Sequence, residues 1–378
     1  FANPDDLQNM ESIPLNHPIS VTVPGAVAGW IELSKKYGNL EIDEILDLGI
    51  ELCHEGFEIN EELYNSLTLH KEELSGQASG YGFYRDNQPF ETGKMIRRPQ
   101  LGKTLELLKR NGLEYFYDSD ITKSISSSVN GILSYDDLKN FKAEWKKPLH
   151  SKIYGFDGWT SPPSTQGYLT LSTLKAIEML GAEHDDIHRV IETYRIFAAD
   201  RDNITYDYGK NIKDFKGVDL DYIQEKIKLF NPNHSEKFDF PKPRGGGTAY
   251  MNTVDKNGLG VSLIQSNFHG IGSRIGVGSF GFFLHNRGCG FNLDSGHPNY
   301  LTPGRKPLHT LSPTIWSKNG NLEFIAGTRG GRYQPQLLIQ TILPYIQKSD
   351  SFEEIIKEPR WVIDCLLYTS DAADDRDS

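Results

Sequence analysis

The chain has 378 residues, 37% of them hydrophobic, which is enough apolar material for one large domain or two modest ones. Its formal net charge of −11 argues against a general nucleic-acid binder, because phosphate contacts need clustered Lys and Arg. The three cysteines, Cys53, Cys289 and Cys365, are far apart and odd in number, so neither a disulfide framework nor a zinc site is expected. The eleven histidines show no H-E-x-x-H spacing, so no metal is expected, and no run of about 18 apolar residues suggests a membrane span.

In chain order, the first two thirds read as mainly helical. Pro24-Gly25 opens a segment running to Lys36, with Gly38 placed for a left-handed cap. Ile42, Ile45, Leu46, Leu52 and Cys53 predict a second amphipathic helix ending near Gly56. Leu101, Leu105 and Leu108 form another stripe, closed by Asn111-Gly112, and Ser134-x-x-Asp137 is a capping box before a short helix. Ser161-Pro162-Pro163-Ser164 reads as a turn, and Tyr168 to Leu180 as a helix. From Ala199 to Pro243 the chain turns polar, which suits an exposed connection; its basic stretch Pro241-Lys242-Pro243-Arg244 reads as linker.

The character then switches. Thr248 to Val254 predicts a strand, Asp255 to Gly258 a tight turn and Leu259 to Gln265 the returning strand. Phe282 to Leu284 and Leu322 to Ala326 predict further strands, and Gln336 to Ile346 a helix interrupted at Pro344. Helix-rich then strand-rich order indicates an α+β layered domain. Phe1 in place of Met suggests a missing upstream segment or leader, so no compartment is assigned. Leu366 to Ser378 changes character abruptly and reads as a foreign or out-of-frame tail, with a disordered native tail as the alternative.

Gly276-x-Gly278-x-x-Gly281 matches a dinucleotide fingerprint in letters only, because no helix follows to aim its N-terminus at a pyrophosphate. Arg244-Gly245-Gly246-Gly247-Thr248-Ala249-Tyr250 is more informative. Local sequence alone favours a flexible loop entering a hairpin. The functional reading is a self-cleaving junction, in which the Thr248 hydroxyl attacks the Gly247 carbonyl and hydrolysis frees the Thr248 α-amine. That amine, with a reference pKa of roughly 8, can then serve as general base for its own hydroxyl.

From about Ile19 to Trp361 the chain resembles the gamma-glutamyltransferase family. The motifs are Val23-Pro24-Gly25-Ala26-Val27-Ala28-Gly29, Gly247-Thr248-Ala249-Tyr250 through Val254-Asp255, Ser266-Asn267-Phe268, Pro303-Gly304-Arg305-Lys306-Pro307-Leu308, Ser312-Pro313-Thr314, Gly327-Thr328-Arg329-Gly330-Gly331 and Gln334-Pro335-Gln336. Their order and spacing together are specific. The resemblance implies an α+β, four-layer αββα N-terminal-nucleophile hydrolase fold. It also implies a precursor cut into a large subunit portion, residues 1–247, and a small one, 248–364, with 365–378 left over as the tail.

Residue by residue, the resemblance puts the nucleophile at Thr248 and the oxyanion-hole glycines at Gly330 and Gly331. Asn267 lies close to the family's asparagine near the nucleophile, although an ungapped count puts Phe268 there. Gln265, Arg287, His309 and Thr310 are the candidate substrate-binding residues. The sequence departs from the family pattern at Ala249, usually a second threonine, and at His309-Thr310, usually a serine pair. The acidic residue that holds the glutamyl α-amine falls at Gly290, its helper falls at Arg287, and the carboxylate-gripping arginine falls upstream of Phe1. The implied activity is acyl transfer from a γ-glutamyl amide such as glutathione to water or an amino acid, with no cofactor and no nucleic acid. The alternatives are a cephalosporin- or glutaryl-type acylase with the same mechanism, and an uncleaved, inactive binding relative.

Overall fold

A computed structural model of the chain describes residues 7, 10–235, 247–348 and 351–363. Cys365, the tail, the basic stretch 241–244 and the first two glycines of the Gly245–Gly247 run lie outside the described residues. The chain divides into two compact units: one takes the residues up to Trp145, Gly247-Thr248 and Gln265–Pro307, and the other takes Lys146 onward, Ala249–Ile264 and Leu308 onward.

In the first unit, α1 (Ala26–Tyr37), α2 (Ile42–Glu55), α3 (Pro99–Asn111) and α4 (Asp120–Ser128) surround a core of Leu108, Phe116, Ile121, Ile125, Leu133, Leu138, Val277 and Leu284. Their ends follow local chemistry. Asp43 and Glu44 sit in the positive first turn of α2, Gly56 at φ +108° ends it, Pro99 starts α3, and Gly112 at φ +84° ends that helix. The start of α1 is fixed by a buried phenol: the Tyr117 hydroxyl donates to the Pro24 carbonyl at 2.6 Å and accepts from the Ala28 N–H at 3.0 Å. The capping box at Ser134 forms, with the Asp137 N–H on the serine oxygen at 3.0 Å and the Ser134 N–H on the carboxylate at 2.9 Å.

Gly38 does stop α1, but in an extended conformation (φ −68°, ψ 138°) rather than the left-handed one expected. Its N–H still bonds the Ser34 carbonyl, and a side chain there would come within 2.6 Å of that oxygen, so close approach rather than positive φ explains the glycine.

The second unit is built on an antiparallel sheet. Strands β1 (Leu149–Ile153) and β2 (Phe156–Thr160) form a hairpin, followed by α5 (Tyr168–Leu180), α6 (Ile187–Ala199) and α7 (Leu220–Ile227). Strands β3 (Gly247–Val254) and β4 (Gly260–Phe268) are a separate two-stranded ribbon whose roots, Gly247-Thr248 and Gln265–Phe268, belong to the first unit. Then β5 (Thr314–Lys318), β6 (Asn321–Ala326) and α8 (Gln334–Lys348) follow, and the sheet order is β6-β5-β2-β1. Leu171, Leu174 and Ile177 of α5 and Leu338, Ile339, Ile342 and Leu343 of α8 share one core with Ile153, Phe156, Trp316 and Phe324 of the sheet. The α+β class and the two-stranded ribbon at Thr248 agree with the sequence reading, except that the returning strand, read as Leu259 to Gln265, runs on to Phe268.

Three expectations need correction. Residues 282–284 form an isolated bridge, Gly276 to Phe283, instead of a strand; paired hydrogen bonds from Val277 to Phe282 and Leu284 to Ile275 bracket a tight turn over Gly278–Phe280 that cuts the ladder short. That turn also supports discarding the dinucleotide fingerprint. Helix α8 runs through Pro344 unbroken, because Leu338, Ile339, Ile342, Leu343 and Ile346 bury its face on both sides of the missing N–H. Up to residue 235 the polar stretch after Ala199 is folded, since Phe215 and Ile223 pack with Tyr168 and Phe197 in a satellite core.

Trp316 is the pivot of the sheet. It is fully buried, stacks on Phe324 at 5.6 Å, donates from Nε1 to Thr314 Oγ1 at 3.0 Å, and lies against Gly158, where an added Cβ would meet its ring at 2.7 Å. Trp316→Ala should therefore lower the unfolding free energy by about 3–5 kcal/mol in urea denaturation; a loss under about 1 kcal/mol would refute the pivotal role.

Candidate active site

In the first unit the β3–β4 ribbon brings Gly247, Thr248 and Ser266 together. Thr248 lies seven residues before Asp255 and Ser266 seven after Leu259, and the Asp255 N–H to Leu259 carbonyl bond closes the turn between them. The two hydroxyls consequently face each other at 2.9 Å. Ser266 Oγ also donates to the Gly247 carbonyl at 2.8 Å and accepts the Phe268 N–H at 2.9 Å. A serine hydroxyl has one proton; with that proton on the Gly247 carbonyl, the Thr248 hydroxyl must be the donor in its contact with Ser266. The result is a directed chain from Thr248 O–H through Ser266 O–H to the Gly247 carbonyl. Gly247 has no room for a side chain, because an added Cβ would come within 2.0 Å of the Gly270 carbonyl oxygen.

Just after this pair, Phe268 takes φ +73°, an uncommon conformation for a bulky residue. Ser266 holds its N–H, and the Arg287 guanidinium covers its ring at 3.4 Å from the centroid. Arg287 is 4% exposed and its backbone N–H donates to His285 Nδ1 at 3.0 Å. Asn267 is exposed, with its carbonyl accepting from the Asn286 N–H at 3.2 Å. Gln265 Oε1 accepts from Trp30 Nε1 at 3.2 Å, and Asn299 donates from its amide to the Gly290 carbonyl.

The other candidates lie in the second unit. Gly330 (φ 124°, ψ 15°) and Gly331 (φ 55°) are consecutive positive-φ residues leading into α8, and the Gly330 carbonyl accepts from the Tyr333 N–H at 3.0 Å. Gln166, fully buried, donates through Nε2 to both the Gly331 carbonyl at 2.9 Å and the Thr310 carbonyl at 2.7 Å. His309 bridges Thr165 and donates its N–H to the Ser164 carbonyl at 2.7 Å. Sequence reasoning missed Ser266 as a partner of Thr248, although the hairpin register pointed to it. It also missed Gln166, for which only its place at the head of a buried helix was a signal. Among the described residues, no helix is long and apolar enough to cross a membrane, and no three His, Cys, Asp or Glu side chains gather where a metal could bind.

With this geometry in view, the gamma-glutamyltranspeptidase family profile matches residues 2–374. The chain belongs to that enzyme family. It is 29% identical over 375 residues to the glutathione hydrolase-like YwrD proenzyme of Bacillus subtilis, covering 95% of this chain and 70% of that protein. It is also 29% identical over 368 residues to the oxamate amidohydrolase proenzyme of Klebsiella pneumoniae, covering 91% of this chain and 68% of that one. Among solved structures, the cephalosporin acylase of Bacillus halodurans superposes with a TM-score of 0.84 at 26% identity, over 95% of this chain and 70% of that one.

His285 gives the first unit a pH dependence. Burial pushes its pKa down to about 4, and the neighbouring Arg287 cation adds to this, while hydrogen bonding to the Val23 and Thr22 backbone pushes the other way. The unfolded chain, with a histidine pKa near 6.5, binds a proton that the folded one refuses. This contribution to stability is therefore complete above pH ~6.5 and is lost as pH falls towards ~4. Urea denaturation across that window should show a shallower fall for His285→Asn than for the parent protein; parallel curves would overturn the assignment.

Proposed function

We propose that this protein cuts itself between Gly247 and Thr248, giving a large portion ending at 247 and a small one beginning at 248, and then uses Thr248 for acyl transfer. The carrying observation is the Thr248–Ser266–Gly247 hydroxyl chain. Thr248 Oγ bonds to the Gly247 carbonyl carbon while its proton moves to Ser266, whose own proton moves to the carbonyl oxygen. The C–N bond then breaks, the nitrogen takes the proton, and an ester remains that water hydrolyses. The freed α-amine next serves as base for the same hydroxyl. Thr248 attacks the amide carbonyl of a γ-glutamyl donor such as glutathione, Gly330 and Gly331 hold the oxyanion through their N–H groups, and water or an amino acid releases the acyl group. We infer the four-layer αββα arrangement for the complete molecule, with no organic cofactor or metal in the chemistry.

A second reading, a glutaryl- or cephalosporin-type acylase with the same nucleophile, draws support from the likeness to the Bacillus halodurans acylase and from the cation at Arg287 where an ammonium-binding site would want an acid. Arg287 is stacked and buried, so it acts here through charge: one step removed from Ser266 through Phe268, it disfavours a donor ammonium.

The full-length protein should yield a chain beginning Thr-Ala-Tyr on N-terminal sequencing. Thr248→Ala should stay whole, Ser266→Ala should cleave much more slowly, and Ser266→Thr should keep most of the rate. Scission at another bond, or normal cleavage of Thr248→Ala, refutes the proposal, and a parent protein that never cleaves would favour an inactive binding relative. Donor choice is decided by side-by-side kinetics on γ-glutamyl and glutaryl anilides. Comparable kcat/KM values, with γ-glutamyl gaining in Arg287→Ala, are expected. A γ-glutamyl preference of several orders of magnitude, unchanged in that variant, would sink the acylase-like reading.

A further inference from the structure

An oxyanion hole made of two glycines has a physical difficulty. Gly330 and Gly331 are the residues with the greatest backbone freedom, yet donors stabilise a transition state only if they are aimed before the charge appears. Something outside the turn must fix it. On one side Gln166 anchors the Gly331 carbonyl. On the other, the residue that follows is Arg332, whose Nη1 and Nη2 both lie 3.2 Å from Asp202 Oδ2. The other carboxylate oxygen of Asp202 accepts from Arg201 Nε at 3.1 Å, and Arg201 is 4% exposed at the start of a short helix, Arg201–Ile204, directly after α6. Although burial alone would raise the Asp202 pKa, the Arg201 and Arg332 cations outweigh it and hold the carboxyl below its ordinary range, so it stays charged. A carboxylate gripping two guanidinium groups is directional as well as strong.

We propose that Asp202 is a positioning residue for catalysis: through Arg332 it holds the Gly330–Gly331 turn in the conformation that presents its N–H groups to the oxyanion. This rests on the oxyanion reading of the glycine pair. Asp202 touches neither substrate nor nucleophile in this role, and its effect falls on kcat rather than on KM, because the turn is fixed for a charge that only the transition state carries.

The test uses the full-length, self-cleaved protein with a γ-glutamyl anilide, a boronic acid that forms a tetrahedral adduct on Thr248, and the planar product acid as probes. Asp202→Asn should lower kcat and boronate affinity by roughly tenfold or more while KM and product-acid affinity stay within about twofold. Asp202→Glu, which keeps the charge, should recover much of the loss. Arg332→Lys, which keeps the charge but loses the two-pronged grip, should show an intermediate loss and serves if Asp202→Asn fails to fold. A folded, cleaved Asp202→Asn or Arg332→Lys with unchanged kcat and boronate affinity overturns the proposal. So does an equal fall in boronate and product-acid affinity, which marks general disruption. Gly331→Val separates the two levels of inference. If it leaves boronate affinity intact, the oxyanion reading itself fails; if it abolishes that affinity while the Asp202 variants do nothing, only the brace fails.

Discussion

A hydroxyl has one proton and can give it to one acceptor at a time. Ser266 sits among three partners, and that limit fixes the direction of every bond around it: the Phe268 N–H must donate in, Thr248 must donate in, and the Gly247 carbonyl is the recipient. The ribbon's register, the tight turn at Asp255–Gly258 and the reversed dihedral of Phe268 all bring those groups within 3 Å of one oxygen. Shifting β4 by one residue would turn Ser266 to the other face of the ribbon and dissolve the arrangement.

Unusual backbone geometry is concentrated at a few points, and at each a packed neighbour restrains it. Gly247 fits because it has no Cβ of its own, which would meet the Gly270 carbonyl oxygen at 2.0 Å. Phe268 is a bulky residue in a region that glycine or asparagine enters more easily, at a cost of order 1–3 kcal/mol. Its N–H bond to Ser266 and the Arg287 cation over its ring offset part of that cost. At Gly331 the restraint comes from Gln166, 165 residues away in the chain.

Much of this was legible in the sequence where the signal is local. The helix ends at Gly56 and Gly112, the Ser134–Asp137 capping box, the Tyr168–Leu180 helix and the 248–268 ribbon all follow from chemistry within a few residues. The β1–β2 hairpin went unread because its strands, Leu149–Ile153 and Phe156–Thr160, alternate around Lys152, Asp157 and Gly158, and Gly158 is explained only by Trp316 pressing on it from β5. Pro344 looked like a helix break because its missing N–H is visible in the sequence, whereas the core burying both flanks of α8 is not. The same divide separates Thr248, marked by the glycine run before it, from Gln166 and Asp202, which nothing local distinguishes from other polar residues.

Phe268 and Arg287 form a coupled pair. An asparagine at 268 would tolerate the left-handed dihedral and offer a polar side chain. Phenylalanine offers none, but its face attracts a cation, and Arg287 occupies that face at 3.4 Å while 4% exposed. Removing either member alone leaves a poor state: a buried guanidinium without its ring, or an aromatic residue in a strained turn without its cover. The Arg287 cation over the Phe268 ring and the Phe268 N–H on Ser266 therefore meet at one residue, so the charge near Ser266 and the backbone geometry around it are coupled through Phe268.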